Sequence, residues 1–73
     1  MSEIRANLLN YLIQHCTQDD TIQRKLFLDR FSALHSVDRR MADIALEDLR
    51  HFGLAETTPL TVTLTALARR LSH

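Results

Sequence analysis

Residues 45–71 read ALEDLRHFGLAETTPLTVTLTALARRL, and the punctuation of this stretch decides the fold. Met41, Ala42, Ala45, Leu46, Leu49 and Phe52 recur at helical spacing, so a helix here buries one continuous stripe. Gly53 follows where a helix C-terminus calls for a positive φ, and Leu54 resumes the apolar contacts. Leu60, Val62 and Leu64 then alternate with Thr61, Thr63 and Thr65, a period of two that predicts a strand. Thr58-Pro59 marks the turn before it, and Ala55-Glu56-Thr57 is the partner strand of a short hairpin. Thr65 caps a last helical segment, with Leu67 and Leu71 inward and Arg69 and Arg70 outward.

Upstream, Asp38 is a good N-cap for the third helix, because its carboxylate can accept from free backbone N–H groups. His35-Ser36-Val37 leaves room only for a tight helix–helix turn. In the second helix Leu26, Phe27, Phe31 and Leu34 form the expected buried face, and Leu28 falls off it. The start of this helix has two readings. Asp20 with Gln23 has capping-box spacing; alternatively, Thr21-Ile22 is a stub of strand and the helix begins near Arg24. Residues 17–21 are polar and read as a loop. In the first helix Ile4, Leu8, Leu9, Tyr11, Leu12, Ile13 and Cys16 cover about half the circumference. Asn7, Asn10 and Gln14 fill the rest. So wide an arc means either burial on two sides or a dimer seam along part of it.

The 73 residues make one domain, near the size at which a single core is marginal. Nine basic residues balance nine acidic ones. A nucleic-acid binder gains affinity by neutralising phosphates, so any basic footprint must come from local clustering. Cys16 is the single cysteine, which excludes an internal disulfide and fits a reducing compartment. The apolar stretches are too short to span a bilayer, and Met1-Ser2-Glu3-Ile4 lacks the features of a signal peptide. A cytoplasmic protein is the expectation.

The order helix, helix, tight turn, helix, hairpin, short helix resembles the winged helix-turn-helix superfamily of bacterial regulators. The resemblance rests on residues 39–49 (RRMADIALEDL), on Phe52-Gly53-Leu54 after them, and on the Leu64-Thr65 pair closing the second wing strand. It implies a single α+β domain over residues 1–73, mainly helical with a β-hairpin wing. It also implies a third helix lying in the major groove of double-stranded DNA. The exposed positions on that helix are Arg39, Arg40, Asp43, Ile44 and Glu47; Arg50, Arg24 and Lys25 are candidate backbone contacts. A homodimer would form through the first and last helices.

Some residues pull against a DNA role. Asp43 and Glu47 share the outer face with the arginines and have the spacing of helix-surface ion pairs: Asp43 with Arg39 or Arg40, Glu47 with Arg50 or His51. The wing tip, Glu56-Thr57-Thr58-Pro59, carries no Lys or Arg. Ile44 stands apart from the core stripe and suits either a thymine methyl or a protein surface. Two functions therefore stay open: a small DNA-binding regulator acting as a homodimer, and a protein–protein interaction module that serves as an adaptor or complex component.

Chemistry finds little support. His15, His35, His51 and His73 have no zinc spacing with one another or with Cys16, and one glycine cannot build a phosphate loop. Asp19-Asp20 lies in a polar stretch without an apolar pocket to shift its pKa. The expectation is a non-enzyme without metal or cofactor.

Overall fold

Helix ends and turns in this chain are set by a handful of residues. The computed structural model describes residues 3–15 and 21–71; Cys16 and the expected loop at 17–20, with Asp19-Asp20, lie outside the described residues, as does the side chain of Leu71. The element order is α1 (Glu3–His15), β1 (Thr21–Gln23), α2 (Arg24–His35), α3 (Arg39–His51), β2 (Ala55–Thr57), β3 (Thr61–Leu64) and α4 (Ala66–Leu71). The architecture is a winged-helix-like α+β fold.

The second of the two readings for the start of α2 holds. Gln23 takes the N-cap position in extended conformation without a side-chain cap, and the helix begins at Arg24. Thr21, Ile22 and Gln23 pair with Thr63, Val62 and Thr61, which adds a third strand to the hairpin. The sheet runs β1-β3-β2, antiparallel throughout, with β3 in the centre. Ile22, Val62, Ala55 and Leu64 share its inner face. Thr21, Thr63 and Glu56 share the outer one, where the Thr21 and Thr63 hydroxyls lie 3.1 Å apart.

The tight turn between α2 and α3 is made by Ser36, which adopts the left-handed conformation at φ 53° and donates its backbone N–H to the Ser32 carbonyl. Val37 bonds the same carbonyl from its own N–H. Asp38 then caps α3 by accepting from the Arg40 N–H at 2.8 Å. At the other end Gly53 sits at φ 77°. Leu54 N–H reaches the Leu49 carbonyl and Gly53 N–H the Arg50 carbonyl, the paired bonds of a Schellman motif. Thr65 caps α4 by accepting from Ala68 N–H, and its hydroxyl donates to the Gly53 carbonyl at 2.7 Å. That hydroxyl ties the end of α3 to the start of α4.

One core joins all the elements: Leu8 and Leu12 of α1, Phe27, Leu28 and Phe31 of α2, Ala42, Ala45, Leu46 and Leu49 of α3, with Leu54, Ala55, Val62, Leu64 and Ala68. Several expectations are corrected here. Leu28 is fully buried, whereas Leu26 is half-exposed and Leu34 is 66% exposed. α2 packs on α3 and touches β3, so its inner face is turned toward Leu28. In α3 the buried stripe narrows to Ala42, Ala45, Leu46 and Leu49, and Met41 and Phe52 emerge at its border. Leu60 belongs to the turn rather than to β3 and is 77% exposed. Ala68, not Leu67, is the buried anchor of α4.

Among the described residues, no helix is long and apolar enough to cross a membrane.

Candidate functional site

The three faces of α3 organise the molecular surface. At about 100° per residue, Ala42, Ala45, Leu46 and Leu49 fill the arc that meets the core. Arg39, Asp43, Glu47 and Arg50 occupy a second arc, next to α2. Met41, Ile44, Asp48 and Phe52 occupy a third, next to the start of α1. Arg40 and His51 stand between the second and third arcs, the part of the helix farthest from the core.

The second arc is a continuous chain of ion pairs. Arg39 donates from Nε to Asp29 of α2 at 2.9 Å and from Nη1 to Asp43 at 2.7 Å. Arg24 donates from Nη2 to both Asp43, at 3.2 Å, and Glu47, at 3.3 Å. Arg50 closes the chain with an Nε bond to Glu47 at 2.8 Å. Three carboxylates thus meet three guanidinium groups. The Glu47 carboxyl is held below the usual glutamate range, chiefly by the Arg50 hydrogen bond; partial burial opposes this, and the Arg50 charge and Arg24 add to it.

Arg24 is the best-placed of these side chains, with 19% of it exposed. Its backbone N–H donates to the Leu60 carbonyl at 3.0 Å, and its Nη1 reaches the Thr58 carbonyl at 3.4 Å. One residue therefore joins the start of α2, the outer side of α3 and the hairpin turn. The turn is closed by Thr58, whose hydroxyl accepts from the N–H groups of Leu60 and Thr61.

The third arc is apolar with a polar centre. Ile4, Arg5, Met41, Ile44, Ala45 and Asp48 line a shallow groove between α1 and α3. Ile44 is 56% and Phe52 is 52% exposed, and Met41 is about half exposed. The Arg5 Nε lies 3.5 Å from Asp48 Oδ2, and its guanidinium lies 5.8 Å from the Phe52 ring centre. Exposed apolar side chains gathered on one face mark a contact surface more often than scattered single ones do.

The residues expected to form the site thus divide. Arg24, Arg39, Asp43, Glu47 and Arg50 come together in the ion-pair chain. Arg40 and Lys25 are exposed outside it. Ile44 belongs to the apolar face. Of the spacings that could pair Asp43 and Glu47 on the helix, those to Arg39 and Arg50 are used. Asp29, Arg5 and Asp48 are additions. They meet their partners across helix boundaries, so no local spacing announces them.

The described histidines lie against aromatic rings or a neighbouring arginine: His15 is 4.3 Å from Tyr11 and His35 is 4.5 Å from Phe31, by ring centres, while His51 Nε2 is 3.4 Å from Arg50 Nη2. Among the described residues, no group of three or more His, Cys, Asp or Glu is placed to hold a metal ion. No family model, curated protein or solved structure matches the chain.

Proposed function

We propose that this protein is an interaction module whose contact surface is the apolar face shared by α1 and α3. The observation that carries this reading is the contrast between two arcs of one helix. On one, the guanidinium groups of Arg24, Arg39 and Arg50 are already matched by Asp29, Asp43 and Glu47. A protein gains affinity for a phosphate backbone when its free cations take the place of the backbone's counterions; here the phosphates would first displace carboxylates and then lie beside them. On the other arc, Ile4, Met41, Ile44 and Phe52 surround a single Arg–Asp pair. Aromatic residues, Met and Arg are enriched in protein interfaces, and Phe52, Met41 and Arg5 gather here. The outer face of the sheet supports the same reading, since Thr21, Thr63 and Glu56 offer no cation to a duplex.

The test places a photo-crosslinking phenylalanine at position 44 and, as a control, at position 56 in living cells. Protein adducts from position 44 and not from position 56 are expected. Absence of protein adducts from position 44 overturns the reading.

One observation favours a second reading, a DNA-binding regulator acting as a homodimer. The α2–turn–α3 unit has the helix-turn-helix arrangement, and Arg40 stands exposed on the outermost line of α3. An amide titration with a mixed-sequence duplex separates the two. Shifts along residues 38–50 at low salt that vanish at high salt establish the DNA reading. Unshifted amides at low salt remove it.

A further inference from the structure

The face between α1 and α3 carries one cation and one anion, and is therefore self-complementary in charge. We propose that its partner is a second copy of this chain, docked face to face about a two-fold axis. The inference rests on the interaction reading above and names the partner for it.

The charge pattern carries the argument. A surface built for an acidic or a basic partner presents an excess of one sign. Among the described residues that line the groove, the charged groups are Arg5 and Asp48, one of each sign, 3.5 Å apart. A two-fold interface is isologous: every group on one copy meets the reciprocal group on the other. A patch that holds a cation and an anion side by side meets that demand with no further residue: Arg5 of each copy exchanges Asp48 of its own chain for Asp48 of the other, and no charge is left unmatched, whereas a phosphate would leave the displaced carboxylates beside it.

The spacing along α3 agrees. Met41, Ala45, Asp48 and Phe52 follow one another at four, three and four residues, the spacing of a two-helix seam. With the axis crossing α3 between Leu46 and Glu47, antiparallel copies bring Met41 level with Phe52 and Ala45 level with Asp48. The first match sets a thioether against an aromatic ring, a favourable contact. The second sets the Arg5–Asp48 groups over the buried Ala45, whose small side chain forms the floor of the groove. Ile44 flanks the seam from the solvent side of α3.

The face is small. A helix of this length runs about 20 Å, and neighbouring helices are about 8–10 Å apart. That strip falls short of the ~800 Å² per partner of a standard interface. The dimer is therefore a weak one that forms only in concentrated solution and dissociates on dilution.

The experiment is sedimentation equilibrium of the full chain across about 10 μM to 1 mM. It uses wild type, Arg5→Asp, Asp48→Arg and an equimolar mixture of the two variants, with circular dichroism to verify that each is folded. Wild type is expected to rise from the monomer mass of 8.4 kDa toward twice that value. Each variant alone sets like charges against each other across the axis and stays monomeric. Their mixture restores opposite charges at both contacts and dimerises. Wild type that stays at 8.4 kDa throughout overturns the proposal, and so do single variants that dimerise as wild type does. If a charge variant fails to fold, Ile44→Asp replaces it, with at least a tenfold weaker association expected and an unchanged one counting against the proposal. A monomeric wild type whose position 44 crosslinks to a different protein removes the second copy and keeps the interaction reading; a monomer without any protein adduct removes both.

Discussion

The Nη2 of Arg24 lies 3.2 Å from Oδ1 of Asp43, joining the first residue of α2 to the outer side of α3 across 19 positions of sequence. Both residues have further partners: Asp43 also accepts from Arg39, and Arg24 also reaches Glu47. The pair fixes how α2 and α3 sit against each other at the end remote from the tight turn. Arg24→Ala leaves Asp43 and Glu47 with their other arginines, so the loss is partial. Urea unfolding should show destabilisation of about 1 kcal/mol, the scale of a charged pair that is only partly exposed. The Thr58 amide should shift, because the Nη1 bond to the Thr58 carbonyl is lost while the backbone bond from residue 24 to Leu60 remains. Unmoved hairpin amides would mean that the side-chain contact between Arg24 and the hairpin turn is not made in solution.

Acid should weaken this chain of pairs in a defined window. The Glu47 carboxyl sits below its ordinary value of 4.5 in the folded protein, with the Arg50 hydrogen bond as the main cause. A depressed carboxyl pKa contributes stability above the unfolded value and loses it as pH falls through the folded one. Wild type should therefore exceed Glu47→Gln at pH 7 by about 0–1 kcal/mol, the range for exposed pairs. The difference should shrink below pH 4.5 and vanish in stronger acid, where the native side chain is also neutral. A gap that is constant across this range would assign the effect to packing instead.

The inner side of α2 can be read by paired truncations. Leu28 is fully buried and Leu34 is largely exposed. Leu28→Ala should cost about 2–5 kcal/mol as a core truncation, whereas Leu34→Ala should stay within about 0.5 kcal/mol. Reversed magnitudes would restore the face centred on Leu34. In α3, Leu49→Ala belongs with the large group, since Leu49 is also fully buried.

Two residues with positive φ invite opposite substitutions. Gly53 has φ 77°, and a Cβ placed there would meet only Leu67 Cδ2, at 3.7 Å. The cost of Gly53→Ala is then backbone strain without a clash, about 1–2 kcal/mol. Ser36 has φ 53° and already bears that strain. Ser36→Gly should stabilise by about 0.5 kcal/mol, the strain relieved less the entropy of a glycine in the unfolded chain. Thermal melts of both variants check the pair, and destabilisation by Ser36→Gly would mean that the serine side chain supports the turn.

Local signals in this chain are legible in its sequence, and global ones less so. The caps at Asp38 and Thr65, the turn at Ser36, the stop at Gly53 and the hairpin each depend on residues within a few positions, so spacing reveals them. Which of several leucines faces inward depends on the neighbours. Leu26, Leu28 and Leu34 are alike as residues, and only the placement of α2 against α3 and β3 selects Leu28. Met41 and Phe52 match the helical stripe equally well, yet they sit at its border, where they become surface. In the candidate site, the pairs Arg39–Asp43 and Arg50–Glu47 follow from helix spacing. Arg5–Asp48, Arg39–Asp29 and Arg24–Asp43 join different helices and leave no trace in a single-sequence pattern.

The central position of β3 sets an order of assembly. Its pairing with β2 closes a short hairpin, whereas its pairing with β1 joins Thr21 to Thr63 across 42 residues. Closing the longer loop costs more chain entropy before any bond is made, so β1 docks after the hairpin and the helices between them have formed. In native-state hydrogen exchange β1 should accordingly open as a small local unit, while Val62, paired on both sides, should exchange only when the whole domain unfolds.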